Sequence, residues 1–360
     1  MGPVPILMPH RSGQEIVFMR AWLLRLTSAK KSPKVNRPDA SLANRPAATA
    51  PVEFDTAALI DGQTGVDVTF FSWLVRSPAD AHAPLGAREH RALQQLARLV
   101  SDSAAHPGLM PRAAAVVPQL LARLRAEASS LVDLSQHISR DVTLVAEVIA
   151  MANSPYYRRE MAVVDLEYAI QVLGVEGLRS AIARVVLKPL IDARGGELVA
   201  GSAKRLWEHT DKKAQLCALL ARSKGLDPFE AYLLALVHNA AWNAVLRAMD
   251  GIGGDLPWNL SSELVTALGL YRDRLFALIA RQWQLPSTLM KVADDVARRG
   301  MAADSSMQAL HLYAADRLAS LLCSHDRTGA VAMAENVLAV GGDSVRKGYQ
   351  AFMQPPGLGA

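Results

Sequence analysis

The chain has 360 residues, 51% of them hydrophobic and 6% aromatic, with a formal net charge of +5. That length and apolar content leave room for one large or two ordinary domains with a real core, and they exclude disorder over most of the chain. Residues 1–60 hold eight Lys/Arg against four Asp/Glu, so 31 basic and 30 acidic residues remain for everything after them, which argues against a basic nucleic-acid groove in the folded part.

Residues 1–65 are expected to be a basic tail and linker. Within the tail, Ile16–Leu26 reads IVFMRAWLLRL and is interrupted by Arg20. It is far shorter than the ~20 apolar residues of a membrane span and has no small-residue cleavage site. Three readings stand for it: a short amphipathic helix touching a membrane surface, an unstructured tail, or a segment before a true start at Met19. Pro33, Pro38, Pro46 and Pro51 mark the linker.

Residues 66–108 are expected to be a helical extension. The run VDVTFFSWLV is apolar enough to dock on the main body. Ala87–Ala105 follows with Leu93, Leu96, Ala97 and Val100 on one face. From 109 to 300 the signals are almost purely helical. Pro118 fits a first helical turn, and Ser130 with Asp133 resembles a capping box before Leu134 and Ile138. Asp165 opens DLEYAIQVL and Gly174 closes it. Asp227 and Pro228 supply an N-cap and a first-position proline, with Glu230 completing the cap. Asp250–Asp255, DGIGGD, reads as a glycine-rich connector. Residues 301–360 continue as helices that wrap the body, with a loop at Gly341. The expected fold class is all-α, with no internal repeat, phosphate-binding loop or dinucleotide fingerprint.

Cysteine usage says little about chemistry but something about location. Cys217 and Cys323 lie far apart, with neither zinc spacing nor a disulfide framework, so a reducing cytoplasm is the expected compartment.

The pair His238-Asn239 carries the most chemistry. It sits in the apolar helix AYLLALVHNAAWNAVL. A His-Asp pair there would suit a divalent ion, because imidazole and carboxylate are both good ligands. An amide has the shape of the carboxylate without its charge and holds a hard cation far less well. His238 has Leu234 and Trp242 one turn away on either side, so the plain reading is a buried neutral histidine bonded across to a neighbouring helix, with His209 a candidate partner. Asn153 ends a long apolar helix and is read as capping free backbone groups. Tyr156, Tyr157, Arg158 and Arg159 are a candidate partner contact, since aromatic and arginine residues are enriched in interface cores. They also fit a loop with one ring tucked in, or a base-stacking site. Met151, Trp207, Trp242 and Trp283 fall at apolar helical positions and are expected in the core.

Several segments together resemble the HDOD domain, a helical bacterial signalling module related to the HD phosphohydrolases. LMPRAAAVVPQLLARLR resembles the family's opening helix, with Ala114 where a proline is common. LVDLSQHISRDVTLVAEVIAMANSPYY carries its A-N-S signature at Ala152, Asn153 and Ser154. VVDLEYAIQVLGVEGLRSAI carries A-I-x-x-L-G at Ala169, Ile170, Leu173 and Gly174. LWEHTDKKAQLCALLARSKG, DPFEAYLLALVHNAAW and IARQWQLPSTL follow in order. The resemblance implies an HD-like helical bundle over residues 109–300, with N- and C-terminal helical extensions and no catalysis. It places the vestigial metal positions at His209, His238 and Asn239, with Arg272 at a third histidine, Val296 and Ala297 near a fourth, and Asp316 at a final aspartate. No cofactor and no metal are expected. The expected function is regulatory binding of a protein partner or a small effector. A metal-dependent phosphohydrolase acting on a cyclic dinucleotide and a nucleic-acid-binding regulator are the competing readings.

Overall fold

The computed structural model describes residues 68–102, 135–136, 138–154, 156–157, 161–191, 195–253, 258–299 and 306–353. The expected tail and linker, the opening helix with Pro118, the Ser130–Asp133 cap, Arg158, Arg159 and the far end of the Asp250–Asp255 connector lie outside them.

Among the described residues the architecture is all-α, as expected. The helices are α1 (Val68–Val75), α2 (Ala87–Ser101), α3 (Val142–Ala152), α4 (Leu166–Ile191), α5 (Glu197–Ser223), α6 (Pro228–Asp250), α7 (Ser262–Gln282), α8 (Ser287–Arg299), α9 (Met307–Ser324) and α10 (Arg327–Met353). Helix α6 is the axis. Nineteen of its 23 residues are buried, which is the mark of a helix covered on every side. It packs against α5, α7, α4, α2 and α9. Helix α1 lies on α5, α7 and α9, and α10 lies on α9 and α5. The two extensions therefore close over the central bundle.

Local chemistry sets the helix ends. The Asp227 carboxylate accepts from the N–H groups of Phe229 and Glu230 at 2.8 and 3.3 Å, as the sequence predicts. Helix α5 has no side-chain cap of its own. Its free donors are met from a distance: Asp250, at the end of α6, accepts from Leu198 and Val199 at 2.8 and 3.1 Å. Gly196 makes room for this, because a Cβ there would lie 2.6 Å from the Asp250 carboxyl carbon.

Two expected helix breaks are found and one expected helix face is corrected. Gly174 ends the first segment of α4, as the sequence predicts. It adopts φ 60°, ψ −168° and kinks α4, which resumes to Ile191; a left-handed residue costs glycine little, and packing of the next turns carries the helix on. The break expected at Gly341 falls one residue on, at Gly342 (φ 69°), where a kink separates the two halves of α10. In α2 the inner face is Glu89, Ala92, Leu96 and Leu99, while Leu93, Ala97 and Val100 are half-buried at its edge. Glu89 is drawn inside because its carboxylate accepts from the Asn259 N–H at 3.1 Å.

The family signature is structural. Asn153 forms a clasp: its amide nitrogen donates to the Ile149 carbonyl at 3.0 Å and the Val163 carbonyl at 2.7 Å, and its oxygen accepts from the Val163 N–H at 2.9 Å. Ala152, Ala169 and Leu173 are core residues, Ser154 is buried and Ile170 packs on the core edge.

Candidate functional site: a buried charge cluster at the His-Asn pair

Four helices bring the expected metal positions together. His209 comes from α5, His238 and Asn239 from α6, Arg272 from α7 and Asp316 from α9. All are buried, with exposures of 0–1%. Val296 and Ala297 do not join them in any metal-binding sense: both lie on α8, Val296 within the apolar core and Ala297 packed against it, and neither offers a donor.

The sequence reading missed four members of the cluster. Lys213 stands one helical turn after His209 on α5, and Ser320 one turn after Asp316 on α9. Asp273 is next to Arg272, and Thr210 next to His209. Spacing four apart was the available signal for Lys213 and Ser320. A lysine on an inner face runs against expectation, since lysine is almost never fully buried unless paired.

The hydrogen bonds define one arrangement. Lys213 Nζ donates to Asn239 Oδ1 at 2.9 Å, pairs with Asp316 Oδ1 at 2.6 Å, and contacts His238 Nδ1. A nitrogen facing an ammonium must be an acceptor, so His238 carries its proton on Nε2 and donates to Asp273 Oδ1 at 3.0 Å. The bland expectation of a bonded buried histidine holds, but its partners are Lys213 and Asp273. His209 bonds instead to Asn239, whose Nδ2 donates to His209 Nδ1 at 2.8 Å and to Thr210 Oγ1 at 2.9 Å. The His209 Nε2 side then faces Ser320 Oγ at 3.2 Å and the Asp316 carbonyl at 3.4 Å. The Thr210 hydroxyl spends its own proton on the Leu206 carbonyl at 2.6 Å. Asn239 thus uses an acceptor toward Lys213 and two donors toward His209 and Thr210. A carboxylate could serve only the first.

Arg272 completes the cluster. It pairs with Asp273 Oδ1 at 2.7 Å and with Asp316 Oδ2 at 2.8 Å, and its guanidinium lies 5.2 Å from the Trp242 ring centroid. Two cations therefore face two carboxylates. Burial favours the neutral form of each group. For Asp316, Lys213 and Arg272 overcome that penalty and hold the carboxyl well below its usual range. For Arg272, Asp273 and Asp316 outweigh burial and raise the guanidinium further. Burial lowers Lys213 despite Asp316. Burial takes His209 to about 3, and burial with Lys213 and Arg272 takes His238 to about 4, so both imidazoles are neutral. With neutral histidines the charges of the cluster cancel.

The cluster is also covered. Phe70 on α1 places its ring 4.5 Å from His209 and 6.4 Å from Trp242, and Phe71 lies 5.4 Å from Trp242. Phe276 meets His238 edge-on at 5.0 Å. Among the described residues no group of three or more His, Cys, Asp or Glu is placed to hold a metal ion. A dication here would need the volume that the Lys213 ammonium and the Arg272 guanidinium fill, so the residues present do not fit one.

Tyr156 and Tyr157 sit away from this cluster. Their rings meet edge-on at 4.3 Å, and Arg222 lies 5.4 Å from the Tyr156 centroid. Both are half-buried, so one ring is not simply tucked in while the other is free. Met161 and Val164, which follow in the chain, are 79% and 80% exposed, and Tyr168 at the start of α4 is 42% exposed.

Known proteins bear on the fold. A protein of Shewanella amazonensis, described as a candidate metal-dependent phosphohydrolase, is 18% identical with a TM-score of 0.51, over 74% of this chain and 98% of its own. An HDOD domain protein of unknown function from Geobacter sulfurreducens is 16% identical with a TM-score of 0.50, over 73% and 93%. An uncharacterized protein of Treponema pallidum (strain Nichols) is 22% identical over 171 residues, which is 44% of this chain and 32% of that protein. The chain spans about a third of that relative's length. The family model for the HDOD domain matches residues 110–297, more than half of the 360 residues. Asp316 and Ser320 lie past that match, so α9 completes a centre whose other members come from within it. With its A-N-S clasp, its kinked A-I-x-x-L-G helix and its bundle around His238, the chain belongs to the HDOD family.

Proposed function

We propose that the protein is a non-catalytic regulatory component of a signalling system, acting by binding a protein partner. The observation that carries this reading is the position of Lys213. It sits among His238, Asn239 and Asp316, where hydrolysis would require a metal ion with an open coordination place and an oriented water. The cover of Phe70 and Trp242 argues in the same direction, since among the described residues the cluster presents no exposed side chain to a substrate. Among the described residues no helix is long and apolar enough to cross a membrane. The free thiols of Cys217 and Cys323 suit a reducing compartment, and on them we propose a cytoplasmic location.

The partner surface we favour is the one built around Tyr156 and Tyr157. Half-buried aromatic rings with Arg222 beside them, and exposed Met161, Val164 and Tyr168 nearby in the chain, have the composition of an interface core. The folded body has nearly equal numbers of acidic and basic residues, which favours a protein over a nucleic acid. Crosslinking in the cell that makes the protein, read by mass spectrometry, tests this. The expected result is one defined protein crosslinked near residues 156–168 and lost in the double variant Tyr157→Ala, Met161→Ala with its melting curve unchanged. Recovery of nucleic acid alone would favour the competing regulator reading. Recovery of neither would favour a small effector, the second reading the same surface allows.

A further inference from the structure

We infer that Lys213 and Arg272 are built-in substitutes for a metal ion: together they supply the two positive charges that bind Asp273 and Asp316, and in doing so they pin the C-terminal helix α9 to the HDOD bundle. The inference rests on the non-catalytic reading only in supposing that no dication sits here.

The contacts support it at each end. Lys213 comes from α5, Arg272 from α7 and Asp316 from α9, and every other member except Ser320 lies on α5, α6 or α7. Asp316 is the sole carboxylate that α9 sends into the cluster, and both of its oxygens are engaged: Oδ1 by Lys213 at 2.6 Å and Oδ2 by Arg272 at 2.8 Å. A bound dication would join carboxylates and imidazoles of different helices through one centre. Here an ammonium and a guanidinium join the same helices through ion pairs to Asp316, with directed hydrogen bonds from Lys213 to Asn239 and from Arg272 to Asp316. The histidines, freed from coordination, turn one nitrogen to a neighbour on another helix: His238 to Asp273 and His209 to the Ser320 hydroxyl. The Asn239 amide fits this exchange because it can accept from Lys213 while donating to His209. Asn239, Lys213 and Arg272 thus form one coordinated replacement of a metal centre.

A buried charge is tolerated only while its partner is present; removing one member leaves an uncompensated charge, whereas removing both members of a pair can be close to neutral. The test follows from that asymmetry. Thermal melts of the full chain are compared for Lys213→Met, Asp316→Asn and the double variant carrying both. Each single variant is expected to melt about 5–10 °C below the wild type, and the double variant to lose less than the two single losses combined. If a single variant does not accumulate in folded form, the double variant is expected to do so. Single variants that melt like the wild type would overturn the inference, as would a double loss equal to the sum, or a double variant that stays unfolded. A second arm uses Mn²⁺ alone as the probe. The wild-type melt is expected to be unmoved by it. A rise in Tm with Mn²⁺ that vanishes in His238→Ala would place a dication where the inference places side chains. These outcomes are separate from turnover, so the pin can fail while the protein remains non-catalytic, and the reverse.

Discussion

Lys213 donates to the amide oxygen of Asn239 at 2.9 Å, so the amide that stands where the HD resemblance implies a carboxylate is bound to the ammonium we propose as the metal's substitute. The two changes are chemically matched. An aspartate at 239 would present no donor to His209 Nδ1 or Thr210 Oγ1, both of which take the Asn239 amide protons.

Asn239→Asp should therefore destabilise the fold and bring no activity. It strands two buried acceptors and adds a negative charge to a balanced cluster, a loss of about 1–3 kcal/mol. Chemical denaturation, with and without Mn²⁺, checks the first part, and hydrolysis of a simple phosphodiester checks the second. A variant that is as stable as the wild type and turns over substrate would mean the ligand set is nearly complete.

Phe70→Ala should cost about 3–5 kcal/mol, as for other buried aromatic truncations. Phe70 is 1% exposed and packs on His209 and Trp242. The loss belongs to packing between α1 and the bundle. A near-neutral effect on the denaturation midpoint would make α1 a loose cover.

Asn153→Ala should lower stability by about 1–3 kcal/mol while leaving partner capture intact at a temperature where the variant is folded. The Val163 N–H and carbonyl lose their Asn153 side-chain partner, while the Ile149 carbonyl keeps the Asn153 backbone N–H. Unchanged stability with lost capture would reassign Asn153 to binding.

Stability should fall as pH drops from about 6.5 toward 4.5. Burial holds His209 at about 3 and His238 and His311 at about 4, whereas an unfolded histidine titrates near 6.5. The folded state stays neutral across that window while the unfolded state takes up protons, so acid favours unfolding and the full stability is present only above it. The contribution of Asp316, whose folded value is depressed, is lost only below the ordinary carboxylate range and does not act here. His311 is 2% exposed, and neither ring nitrogen has a hydrogen-bond partner among the described residues. The midpoint of thermal unfolding should thus decline on acidification, and less steeply in His311→Gln. A flat profile between pH 7 and 4.5 would contradict the burial of these rings as neutral groups.

Much of the bundle was legible because helix chemistry is local. Asp227-Pro228 and Asp165 announce helix starts within a few residues of the chain, and the unbroken apolar run around His238 announces the central helix. The meeting of His209, His238, Asn239, Arg272 and Asp316 was legible through the family resemblance. What joins them was not. Lys213 reads as an ordinary surface lysine in a sequence, and only packing of α9 against α5 gives it the Asp316 partner that makes burial tolerable. The breaks at Gly174 and Gly342 were legible from glycine itself, but not how soon the next helix begins: a positive-φ glycine looks the same in sequence whether a loop or another helix follows, and packing of the next turns decides which.

On the proposed function, the His-Asn centre of this HDOD protein is charge-balanced by its own side chains and performs no hydrolysis. The most direct measurement is turnover of cyclic dinucleotides and a generic phosphodiester by the purified full chain, with Mn²⁺, Mg²⁺, Fe²⁺ and Zn²⁺ in turn and the bound metal counted by elemental analysis. The expected result is no turnover and no metal retained at one per chain. Metal-dependent hydrolysis that disappears in His238→Ala would contradict it.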